Sequence, residues 1–77
     1  MSADWRTSMK ASLMDKMCAY LQGKIAYHEA NLEVYFNNPA GIGEHPDILQ
    51  AIESELGKLA EYQEKLVTLE NLQVTEW

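Results

Sequence analysis

Cysteine and histidine are nearly missing from this chain: one Cys18 and two histidines, His28 and His45, in 77 residues. A lone cysteine makes no internal disulfide, and no Cys/His pair stands at zinc-ligand spacing. Proline and glycine are scarce too, with both prolines and two of the four glycines falling between Asn37 and Asp47. Apolar runs are short. The longest, Met17-Cys18-Ala19-Tyr20-Leu21, is far below the roughly 20 residues of a membrane span, and Met1-Ser2-Ala3-Asp4 lacks the basic start of a secretory signal. These absences predict a soluble, cytoplasmic protein in which Cys18, set among apolar residues, is a small core hydrophobe in a reducing compartment.

Positive charge is the next shortage. Six basic residues face twelve acidic ones, for a net charge of −6. Residues 1–38 are balanced, so the whole excess lies in the second half, where Glu44, Asp47, Glu53, Glu55, Glu61, Glu64, Glu70 and Glu76 meet only Lys58 and Lys65. Such a surface repels phosphate backbones and anionic headgroups, which argues against direct nucleic-acid or membrane-surface binding. It suits a partner with a basic surface, or simply solvates an exposed helix face.

What is present favours helix. Ala, Leu, Glu, Lys, Met and Gln are frequent, and no repeat or low-complexity run interrupts them. The organising break is Asn37 to Asp47. Pro39 disfavours helical geometry at Asn38, Gly41 and Gly43 can take positive φ, Ile42 can anchor the loop, and Pro46 suits a first helical position, with Asp47 adding negative charge to the first turn. The expected domain is therefore a single all-α antiparallel helical hairpin: helix about 4–37, loop about 38–45, helix about 46–72 and tail 73–77.

The helices carry a regular apolar seam. Met14, Cys18, Leu21, Ile25, His28, Leu32 and Tyr35 alternate spacings of four and three, flanked by a row of Leu13, Met17, Tyr20, Tyr27 and Val34. In the second helix Ile48, Ile52, Leu56, Leu59, Tyr62, Leu66 and Leu69 form one side, which Leu49, Ala60, Val67 and Leu72 broaden. A two-helix hairpin hides one stripe per helix, so these flanks would stay wet. At about 25 cal/mol per Å², a few hundred square ångströms of such surface amounts to several kcal/mol. The expectation is a homo-oligomer, a dimer first, packed as a four-helix bundle. Its interface would draw on Met14, Cys18, Leu21, Ile25, His28, Leu32, Ile52, Leu56, Leu59 and Leu66. Gly23 and Gly57, each costing roughly 1 kcal/mol against alanine inside a helix, mark a close approach, a bend or a tolerated surface position.

No catalytic constellation emerges, and no catalytic, cofactor-binding or metal-ligating residue is assigned. His28 sits in the seam, where a hydrogen bond to a carboxylate or tyrosine of the other helix would satisfy it. His45 reads as a cap or loop anchor, since Glu44-His45-Pro46-Asp47 alone is too few ligands for a metal. Cys18 has neither base nor electropositive setting to make it a nucleophile. The Gly41-Ile42-Gly43 turn follows no strand and bears Glu44 where an anion would need room, so it is no phosphate loop.

The connector Asn38-Pro39-Ala40-Gly41-Ile42-Gly43-Glu44-His45-Pro46-Asp47-Ile48, with Glu53, Glu55, Leu59, Ala60, Glu61 and Tyr62 after it, resembles small uncharacterised proteins of tailed phages of marine cyanobacteria and of marine metagenomes. The likeness spans roughly residues 28–72 and implies a viral or marine microbial origin and expression in a bacterial host, with no activity attached. The expected function is a non-catalytic protein-interaction or structural module. The loop residues Pro39, Gly41, Gly43, His45 and Pro46, or the acidic helix, would be offered to a partner. The alternative is an acidic mimic of nucleic acid that modulates a basic host or phage enzyme.

Overall fold

Two helices account for the described part of the chain: α1, Ser2–Asn37, and α2, Ile48–Gln73. The computed structural model describes residues 2–37 and 47–73, with side chains over 9–37 and 47–72. Among the described residues there is no strand, and no helix is long and apolar enough to cross a membrane. The proposed roles of Pro39, Gly41, Gly43, His45 and Pro46, and the tail at Trp77, lie outside the described residues.

The helix bounds follow from local chemistry. α1 takes in the first dozen residues from Ser2 onward and ends at Asn37, one residue short of the position that Pro39 restricts. At the start of α2 the Ala51 N–H donates to the Asp47 carbonyl at 2.9 Å. Asp47 therefore occupies the cap, where a carbonyl accepts the first helical bond, and the helix proper opens at Ile48, later than the expected 46.

The helices run antiparallel. His28 meets Glu55 across the pair, while further back on α1 Lys24 reaches the ring of Tyr62, further forward on α2. With 36 residues against 26, α1 is about 15 Å the longer at 1.5 Å per residue. The seam of α1 faces α2: Leu21, His28 and Leu32 are buried, and Met14, Cys18, Ile25 and Tyr35 are half-buried.

The α2 seam differs from the expected row at one position. Leu56 is 48% exposed, and Glu55 turns inward in its place. The reason is periodicity: Ile48, Ile52, Glu55, Leu59, Tyr62, Leu66 and Leu69 keep strict alternation of four and three, whereas Leu56 lies a full 100° of helical turn from Glu55. The core is consequently thin. Among the described residues only Leu21 at 3%, His28 at 4% and Leu32 at 7% are buried, and one of these three is polar.

Gly23 and Gly57 leave α1 and α2 helical. A Cβ added at either would have nothing within 4 Å, so neither serves a close approach inside the hairpin.

Candidate interaction surface and the buried polar layer

Halfway along the seam, apolar packing gives way to a polar layer. His28 Nδ1–H donates to Glu55 Oε2, and Asn31 Nδ2–H donates to Glu55 Oε1 at 3.2 Å, so both carboxylate oxygens accept a bond from α1. The side chains of His28 and Glu55 are only 5% and 15% accessible. The His28 hydrogen bond is the first cause holding the Glu55 carboxyl below its ordinary range, against a burial penalty that acts the other way, with Asn31, the His28 charge and Lys58 adding to the lowering. An ionised carboxylate only accepts hydrogen bonds, which places the proton on Nδ1 of His28. No buried side-chain polar atom lacks a partner among the described residues.

Aromatic rings hold the imidazole in place. Tyr62 stacks on His28 with centroids 5.6 Å apart and planes 14° from parallel, and Tyr27 meets it edge-on at 4.9 Å. Lys24 Nζ lies 5.5 Å from the ring centres of both Tyr27 and Tyr62, and Lys65 Nζ lies 5.0 Å from Tyr62. The layer is thus a carboxylate–imidazole pair walled by two tyrosines and roofed by lysines.

As chemistry the pair has an oriented imidazole but no nucleophile in contact with it. The grooves lie elsewhere. One, of about 280 Å³, is lined by Met17, Leu21, Lys65, Thr68, Leu69 and Leu72 with Glu64 at its edge, and a second runs along α1 from Glu29 to Asn37. Among the described residues no three His, Cys, Asp or Glu side chains cluster to hold a metal. Burying a carboxylate is expensive even when it is hydrogen-bonded, and the best-attested return is specificity of pairing: a polar residue at one seam position disfavours every register that would leave it unpaired.

The contacts also fix which side each flank occupies. On one broad side of the hairpin Met17 of α1 shares a groove with Lys65, Leu69 and Leu72 of α2, Lys24 reaches the Tyr62 ring over which Lys65 also lies, and Asn31 meets Glu55. Leu13, Met17, Tyr20, Tyr27 and Val34 flank the α1 seam on this side, and each is close to or more than half exposed. Helical pitch carries Leu49, Leu56 and Val67 of α2 to the opposite broad side, where Leu49 is 76% exposed. The two apolar flanks therefore lie on opposite faces of the hairpin, a placement that depends on how the helices are rotated against each other.

The structure brings Met14, Cys18, Leu21, Ile25, His28, Leu32, Ile52, Leu59 and Leu66 to the seam between the two arms of one chain, and leaves Leu56 outside it. Sequence reasoning overlooked Glu55, Asn31 and Lys24. The signal for Glu55 was the spacing itself, which asks for position 55 after Ile52 and before Leu59. No protein-family model, curated protein or solved structure matches the chain.

Proposed function

We propose that the protein is a non-catalytic interaction or structural module that works as a homo-oligomeric helical bundle, a dimer of hairpins giving four helices. The observation that carries this reading is the imbalance between what the hairpin hides and what it leaves out. Among the described residues three are buried, while Leu13, Tyr20, Tyr27, Val34, Leu49 and Val67 all stand more than half exposed. Contiguous apolar rows of this kind mark association surfaces, whereas scattered single residues do not. The connector's resemblance to small phage proteins supports a setting inside an infected bacterial cell. Size exclusion with light scattering at two protein concentrations tests the reading: a mass of one chain at both would refute it.

Charge supports a second reading. Glu53, Glu61, Glu64 and Glu70 are all exposed along α2. An acidic helix of this kind suits the basic groove of a host or phage enzyme in place of nucleic acid. Binding that weakens steeply as salt rises would favour it; salt-insensitive capture of an apolar helix would favour the first.

A further inference from the structure

The apolar flank of α1 reads almost the same from either end. Leu13, Met17, Tyr20, Tyr27, Ala30 and Val34 are all exposed on that arm. Their centre falls between Gly23 and Lys24, so an antiparallel copy of the same helix would set Leu13 against Val34, Met17 against Ala30 and Tyr20 against Tyr27. From the geometry we infer that two chains pair through this face about a two-fold axis perpendicular to the helices, crossing α1 between Gly23 and Lys24. The inference rests on the homo-oligomer proposed above and specifies its face and axis.

On α2, Glu61 and Lys65 border this side and pair with each other at 3.7 Å. The hairpin register sets the α1 crossing point beside Tyr62: Lys24 reaches the Tyr62 ring and Asn31 meets Glu55, so moving back seven to eight residues from Asn31 on α1 matches moving on seven to eight residues from Glu55 on α2. An axis at that height lays α1 on α1 and α2 on α2 in a four-helix bundle.

Area is sufficient as well. Aromatic side chains bury about 150–250 Å² each when covered, and half of that from four tyrosines plus the aliphatic residues of two chains reaches roughly 1,000 Å², the lower bound of a specific interface. The axis brings the two Lys24 side chains near each other. Each is already drawn over Tyr27 and Tyr62 of its own hairpin. The other flank, with Leu49, Leu56 and Val67, stays outside this dimer.

Disulfide trapping tests the inference in the full chain with Cys18→Ser, after circular dichroism confirms that helicity is kept. Chains bearing Tyr20→Cys and chains bearing Tyr27→Cys, mixed and mildly oxidised, are expected to give the mixed dimer in large excess over either self-pair, and Leu56→Cys is expected to give little. A light-scattering dimer that crosslinks through Leu56→Cys instead would overturn this face while leaving the homo-oligomer intact. A single-chain mass would remove both. As a second route that keeps Cys18, Tyr20→Lys with Tyr27→Lys at these exposed positions is expected to weaken association at least about tenfold with helicity unchanged. Unchanged association in the double-lysine variant would refute the face.

Discussion

His28 and Glu55 face each other across the hairpin, the imidazole donating from Nδ1 to a carboxylate whose second oxygen is taken by Asn31. The pair is nearly closed to solvent and occupies a place in each seam where an apolar residue would pack. Removing one partner leaves the other buried without its counterpart, which costs about 3–5 kcal/mol, whereas replacing both by apolar residues is often neutral or stabilising by about 1–4 kcal/mol. His28→Ala is thus expected to lower the thermal midpoint sharply, and His28→Leu with Glu55→Leu to match or exceed the parent. Melting curves at one fixed protein concentration check both, since association makes the midpoint concentration-dependent. The double variant is also expected to lose uniqueness of pairing, seen as broadened amide resonances.

Acid should weaken the fold through the same carboxylate. Glu55 is held below its ordinary value of 4.5, mainly by the His28 hydrogen bond. In the unfolded chain it takes up its proton near 4.5, while the folded chain keeps it ionised to lower pH. Its contribution is therefore complete above about pH 4.5 and is lost as pH falls through the lower folded value. Denaturant midpoints measured down from neutral pH should drop more steeply in the parent than in Glu55→Gln. Parallel curves for the two would show that the carboxylate contributes nothing to acid sensitivity.

The thin core gives individual residues uneven weight. Leu21→Ala removes most of a buried side chain and should cost about 2–5 kcal/mol, against a total of about 4–12 kcal/mol for a chain of this size. Leu56→Gln, at a half-exposed position, should cost less than about 1 kcal/mol. Equal losses in urea titration would place Leu56 back in the seam.

That contrast shows how far the sequence could be read. The α1 seam was legible because Met14, Cys18, Leu21, Ile25, His28, Leu32 and Tyr35 keep the spacing of a paired helix without exception. The α2 seam was legible save at one step, where hydrophobicity favoured Leu56 and geometry required Glu55. A polar residue inside a core is chosen by its partner, and His28 supplies the reason from 27 residues away. That α1 and α2 expose their flanks on opposite faces could not be read from either helix alone, because it depends on their mutual rotation.

Gly57 offers a gain in stability. Its α-carbon faces open space, so a methyl group meets nothing while the unfolded chain loses freedom. Gly57→Ala is expected to raise stability by up to about 1 kcal/mol, or about 4–8 °C in midpoint for a domain of this length. A fall in midpoint would mean that something packs on that surface.

The claim on which the rest stands is that one hairpin cannot cover its own apolar flanks. Light scattering coupled to size exclusion, run at low and high protein concentration with a hydrophobic dye titration beside it, tests this most directly. The expected result is a mass near twice the 8.8 kDa of the chain, with dye uptake confined to what the remaining flank of Leu49, Leu56 and Val67 takes up. A single-chain mass at the higher concentration, still with no dye uptake, would contradict it.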